Sequence, residues 1–453
     1  MSGWLQPIIV SGQEKNNLTI QTIALAAGDV LADSLGLLDR PFDAAALITR
    51  ARRHTGLHDL NESDIREPLH RFLLSCGTEA RLSLVGRLAT SWDTTRFLIN
   101  LLRMHAAEQA NPAIPSRPIQ RPIFITGLPR SGTTFLHRLL MTDPSNRAPL
   151  VWETIYPFPD APAIMGSRDN RVQRVARQLR AFERLAPAFR ALHPLDATSP
   201  QECSEITAHV FRSLRFDTNY HIPSYRAWLD ADVEQHLPAY RFHKRFLQHL
   251  QAQDGGPPAT GTSRWVLKCP DHVFAIHAIR TVYPDARLVF VHRDPIKVLL
   301  SVARLTEVLR RPFTRRLDRA TIGRDESARW LDGTRRMIEV GDDAGLSEPV
   351  CHVHHMDLIT DPVSMVESVY QHFGLAVPTT VPEAIARYIA ARPNGGYGPH
   401  EYRFADLGLN EATEREKFRP YTLRFGISTE AAPPNRLAPQ VPASKPSQKP
   451  VQG

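Results

Sequence analysis

At 453 residues the chain exceeds one ordinary domain, and with 42% apolar and 23% charged residues it is neither a disordered chain nor a coiled coil. Its net charge of +8 is carried mostly by arginine, 48 of the 55 cationic residues, and is spread along the chain, which argues against a nucleic-acid footprint and leaves handling of small anions open. It holds no run of 18 apolar residues, no leader-like start and no C-x-x-C pair among Cys76, Cys203, Cys269 and Cys351, so a membrane span, secretion, a disulfide framework and a zinc knuckle are not expected, and a cytoplasmic enzyme is.

Residues 18–110 carry apolar side chains at three- and four-residue spacing and read as helices, with Asp43 and Ser63 as N-caps. The stretch 111–122 holds four prolines and reads as an extended linker. After it the period changes. PIFITG (122–127), WVLK (265–268), ARLVFVHR (286–293) and VCHVHHM (350–356) read as buried strands, each followed by a helical pattern. Asp294 and Pro295 form a helix start, and Gly374 a helix stop. This alternation predicts a P-loop-type α/β fold, a doubly wound parallel sheet flanked by helices. The expected organisation is an N-terminal helical region with linker (1–118), the α/β domain (119–430, with a helical insertion at about 160–250) and a tail (431–453). The tail has six prolines and no acidic or aromatic residue, and is expected to be disordered.

The strongest motif is Gly127-Leu-Pro-Arg-Ser-Gly-Thr-Thr134, between a strand and a helix. There the N–H groups of a tight loop and of the helix start converge on an anion. Gly127 and Gly132 have the spacing of a Walker A loop, but Thr133 stands where a nucleotide triphosphatase needs Lys; the loop's cation is Arg130. A second anion site is suggested by Arg293, at the carboxyl end of a strand.

Pro129-Arg130-Ser131-Gly132-Thr133-Thr134 resembles the loop P-[KR]-S-G-T-[TS] of sulfotransferases that use 3′-phosphoadenosine 5′-phosphosulfate (PAPS), in particular the Arg version of tyrosylprotein sulfotransferases and a bacterial group. The resemblance implies that Arg130 contacts the transferring sulfuryl group and its bridging oxygen, while Ser131, Gly132, Thr133 and Thr134 hold the 5′-phosphate. It also implies a 3′-phosphate site formed by a strand-end Arg and a Ser eight residues later, here Arg293 and Ser301. Trp265-Val-Leu-Lys-Cys-Pro-Asp-His272 resembles the segment that lines the cofactor and acceptor site, with Lys268 assisting catalysis. GYGPHEYRFADLGL resembles a loop over the 3′-phosphate and adenine, with Tyr397, His400 and Tyr402 as contacts. The likeness spans roughly residues 120–428.

Sulfuryl transfer needs in-line positioning, positive charge and a base for the acceptor hydroxyl proton. Glu153 stands where the tyrosylprotein enzymes place that base and is the expected one; His193, Glu202 and Glu205 are the alternatives. His352, His354 and His355 are expected to be ordinary sheet residues, since a period-2 pair without Asp or Cys is a poor metal site. The expected activity is transfer of sulfuryl from PAPS to a hydroxyl-bearing small molecule, lipid or sugar, with neither metal nor nucleic acid involved. A P-loop kinase or nucleotide triphosphatase, or a binding protein with a dead site, are the competing readings.

Overall fold

The apolar runs after residue 122 pair into one five-stranded sheet whose strands all run parallel. In the computed structural model, which describes residues 20–159, 169–254, 264–341, 349–391 and 403–430, the strands are β1 (Ile123–Gly127), β2 (Asn146–Arg147), β3 (Arg264–Lys268), β4 (Arg287–His292) and β5 (Cys351–His354). Their order is β2-β3-β1-β4-β5. The chain moves from β1 to one side and then crosses back to β4, so a crevice opens at the carboxyl ends of β1, β3 and β4, where ligands bind in such sheets.

Side-chain alternation along the strands feeds two cores. Ile123, Ile125, Val266, Val289, Val291 and Val353 pack under the helices Thr133–Leu140, Pro362–His372 and Val381–Ala390. Phe124, Leu267, Leu288 and Phe290 face the other way, into a larger core shared with the N-terminal helices, Phe97 and Leu98 among them. The same alternation turns Cys351 and Val353 inward and sends His352 the other way, where its Nδ1 lies 2.9 Å from Nε2 of His292, whose ring lies 4.4 Å from that of Phe425.

The helix ends follow the local signals with one exception. Asp43 caps the helix Ala44–Thr55, accepting from the Ala46 N–H at 3.0 Å. Asp294 caps Pro295–Arg310 in the same way, and Gly374, at φ 61°, follows the end of Pro362–His372. Ser63 is not a cap. The helix Glu62–Thr78 starts two residues earlier than a Ser63 cap requires, with Asn61 in the cap position, and the Ser63 hydroxyl donates to Asn61 Oδ1 at 2.8 Å. The proline-rich linker is also not extended throughout, since Ile114–Ser116 forms a 3₁₀ turn. β2 has no counterpart in the sequence reading, because two residues at a sheet edge are too few to show a period. The described part of the expected insertion is helical, from Arg171–Leu185 to Leu237–Gln253. The tail 431–453 and the residues Tyr397, His400 and Tyr402 lie outside the described residues.

Candidate active site

The loop after β1 takes its shape from close backbone approach. Gly127 has φ 139° and passes so near β4 that a Cβ there would sit 2.2 Å from the Val291 carbonyl oxygen. Gly132 has φ 104°, and a Cβ there would meet His355 Nδ1 at 3.0 Å. Arg130 itself sits in the left-handed region at φ 65°, a conformation bulky residues rarely adopt outside functional turns. The loop feeds directly into the helix Thr133–Leu140, whose first N–H groups have no carbonyl a turn earlier within the helix. The Ser131 hydroxyl is fully buried and has no hydrogen-bond partner among the described residues. A buried hydroxyl left unpaired costs about 1–3 kcal/mol, and an oxyanion in the loop is the partner such a group calls for.

Two strand ends add cations. Arg130 Nε donates to Ser301 Oγ at 2.9 Å, and Arg130 Nη1 to the Leu192 carbonyl at 2.7 Å. Arg293, just past β4, donates through Nη1 to the Arg130 carbonyl at 2.7 Å. The loop, Arg293 and Ser301 are thereby one hydrogen-bonded unit, although the sequence separates them by more than 160 residues. Lys268, at the end of β3, is 1% exposed. Its ammonium donates to Thr134 Oγ1 at 3.1 Å and to Glu202 Oε1. Glu202 Oε2 has no hydrogen-bond partner among the described residues, and the side chain lines the cavity with His193. Burial pushes the Glu202 carboxyl up, but Lys268 and His193 outweigh it and leave it below its usual value, so it is ionised near neutrality. Burial holds His193 down at about 4, against the pull of Glu202, so that imidazole is neutral there.

Most of these groups line a cavity of about 1120 Å³. Its walls are largely apolar and aromatic. Phe182 packs edge-on against Phe189 with centroids 5.0 Å apart and stacks on Phe313 at 6.0 Å, while Leu179, Leu305 and Trp92 continue the surface. Trp92 remains 46% exposed.

The cavity includes Arg130, Gly132, Thr133, Thr134, Arg293 and Ser301 in its lining, together with Lys268's partners Thr134 and Glu202. It does not include Glu153. That side chain turns back on its own short helix, Val151–Ile155, where Oε2 accepts the Leu150 N–H at 2.8 Å and Oε1 accepts from Arg147 at 3.3 Å. Burial raises its carboxyl, as a base requires, yet its oxygens serve the helix start and not the cavity. Glu205 is likewise committed, to Arg96 at 2.7 Å and Arg215 at 2.9 Å. His355 is not an ordinary sheet residue. It opens the helix His355–Thr360, and its Nδ1 lies 2.9 Å from the Ser131 carbonyl, against the anion loop. A histidine after a strand carries no sequence signal of such a contact, which is made across 224 residues.

Residues 122–379, more than half of the chain, match the sulfotransferase family. The omega-hydroxy-beta-dihydromenaquinone-9 sulfotransferase Stf3 of Mycobacterium bovis and that of Mycobacterium tuberculosis are each 26% identical over 337 residues, 71% of this chain and 79% of theirs. The solved structure of sulfotransferase STF9 from Mycobacterium avium superposes with a TM-score of 0.76 at 26% identity, covering 87% of this chain and all of that one. STF1 from Mycobacterium tuberculosis H37Rv gives 0.71 at 28% identity, covering 84% of this chain and 99% of that one. The similarity is to sulfotransferases, which sets the kinase and triphosphatase reading aside.

Proposed function

The chain belongs to the sulfotransferase family, an enzyme that transfers sulfuryl to a hydroxyl acceptor, and from that premise we propose how its own residues bind PAPS, activate the acceptor and select it. The observation that carries the reading is the single unit made by the loop 127–134, Arg293 and Ser301, whose Arg130, Gly132, Thr133, Thr134, Arg293 and Ser301 line the cavity. The residues fit a phosphosulfate nucleotide: a loop closed by Gly127 and Gly132, an unpaired buried hydroxyl on Ser131, and two arginine forks. Ser131, Gly132, Thr133 and Thr134 would hold the 5′-phosphate, and Arg293 with Ser301 the 3′-phosphate. Tyr397, outside the described residues, stays assigned to the nucleotide by the family resemblance.

When bound, PAPS supplies the sulfuryl group and a phosphate leaving group. Arg130 stabilises the charge that develops between them, as preorganised cations do in the loose in-line transfer of such groups. Glu202, and not Glu153, takes the acceptor proton. One of its oxygens is fixed by Lys268 and the other is unpaired on a residue that lines the cavity, so the carboxylate is oriented and ionised before substrate arrives. Lys268 bridges Glu202 to Thr134 and so fixes the base relative to the anion loop. The aromatic walls fit an alcohol with a large apolar body, in keeping with the omega-hydroxylated dihydromenaquinone that the Stf3 name states for that relative.

The test is calorimetric titration with adenosine 3′,5′-bisphosphate, followed by sulfation assays with labelled PAPS on long-chain alcohols, hydroxylated isoprenoid quinones, phenols and sugars. Micromolar nucleotide binding and preference for the apolar alcohols are expected. Absence of nucleotide binding refutes the assignment of the loop, and preference for free sugars refutes the acceptor class.

A further inference from the structure

We propose that Glu430 is an internal competitor for the nucleotide's 3′-phosphate and sets how strictly the enzyme demands that phosphate; this rests on the assignment of Arg293 above. Glu430 holds Arg293 side-on, Nε to Oε1 at 2.8 Å and Nη2 to Oε2 at 2.9 Å. Two parallel N–H···O bonds on one fork are the geometry in which Arg also takes a phosphate. The remaining donor group, Nη1, is spent on the Arg130 carbonyl, so the edge that Glu430 covers is the edge a phosphate would use.

The carboxylate is held in place and not merely near. The Glu430 backbone N–H donates to Asp294 Oδ2 at 3.1 Å, and Asp294 is the cap of the helix Pro295–Arg310 that carries Ser301. Arg415 reaches the same Asp294 oxygen at 3.7 Å. Lys297 also attracts Glu430, and His355 touches the loop through the Ser131 carbonyl. Both members of the pair are mostly covered, at 23% and 14% side-chain exposure, so the bond is not dissolved by solvent screening as a surface pair is. A carboxylate and a phosphate dianion on one fork repel each other. A nucleotide bearing the 3′-phosphate therefore displaces Glu430 and recovers two charge-assisted bonds for the two it breaks. A nucleotide lacking it leaves the pair intact and gains nothing there. Glu430 thus lowers affinity for the correct nucleotide while leaving the incorrect one untouched, and its release couples nucleotide binding to the chain segment after the helix Glu411–Arg424.

The test compares wild type, Glu430→Gln and Arg293→Ala by calorimetric titration with adenosine 3′,5′-bisphosphate and with adenosine 5′-phosphate, with thermal unfolding as the check on folding. Glu430→Gln is expected to bind the bisphosphate about 5–30-fold more tightly, the range set by losing competition from one charge-assisted pair, and the monophosphate unchanged. Unchanged or weaker bisphosphate binding by Glu430→Gln, with wild type still favouring the bisphosphate, overturns the proposal and makes Glu430 a positioning residue for Arg293. If wild type and Arg293→Ala treat the two nucleotides alike, the assignment of Arg293 itself falls, and the competitor with it.

Discussion

Replacing Glu202 by Gln separates its two roles. The amide oxygen still accepts from Lys268, but the group can no longer take a proton, and a 1% exposed ammonium loses its counter-charge. A positioned general base contributes about 10²–10⁴-fold, so kcat should fall by that factor, equivalent to about 2.7–5.5 kcal/mol of barrier. The retained hydrogen bond limits the stability loss to about 1–3 kcal/mol, well below the 3–5 kcal/mol of stripping a buried ion of its partner altogether. Affinity for adenosine 3′,5′-bisphosphate should stay within about 3-fold, because Glu202 is not part of the unit formed by the loop, Arg293 and Ser301. Steady-state sulfation with labelled PAPS, calorimetry with the bisphosphate and chemical denaturation read the three quantities separately. A kcat within about 5-fold of wild type, with nucleotide binding intact, refutes Glu202 as the base.

Glu153→Ala is the matched control: losing the acceptor for the Leu150 N–H should cost about 1–2 kcal/mol of stability by denaturation, with kcat within about 3-fold, and a 100-fold loss of kcat returns the base to Glu153. Gly127→Ala should destabilise by more than about 3 kcal/mol or abolish soluble expression, since its Cβ would lie 2.2 Å from backbone and not from a movable side chain; an unchanged denaturation midpoint contradicts the loop's close passage by β4. Acid should destabilise the fold ahead of carboxylate protonation. Burial holds His137 and His209 at about 3, against about 6.5 unfolded, so below pH 6.5 the unfolded chain binds protons that the folded chain does not. Stability is fully present above pH 6.5 and is lost as pH falls toward 3; between pH 7.5 and 5 each histidine contributes about 2 kcal/mol of that loss, and flat denaturation midpoints across this range would show that these rings are not buried neutral.

Much of the fold was legible because its signals are local. Strand β1, its glycine loop and the following helix occupy eighteen consecutive residues, Ile123–Leu140, and each element limits the next. β3, β4 and β5 are short apolar runs, and the Asp294-Pro295 start and Gly374 stop depend only on adjacent backbone. The family likeness likewise lies in contiguous motifs.

The chemistry of the site is not contiguous. Glu153 has the right place along the chain, but three residues upstream the Leu150 N–H needs an acceptor, and the nearest donor claims the carboxylate. Glu202 stands in the sequence as one of three alternatives to Glu153 until β3 delivers Lys268 to it across 66 residues. His355 and Glu430 come to the anion loop and to Arg293 only when β5 and the last helix pack against the sheet. The sequence by itself determined the strand, the glycine-closed loop and the helix start that follows it, since that signal lies within a few residues. Which partner each carboxylate takes, Leu150 for Glu153, Lys268 for Glu202 and Arg293 for Glu430, only the tertiary structure decided, because packing over long sequence distances sets that partner.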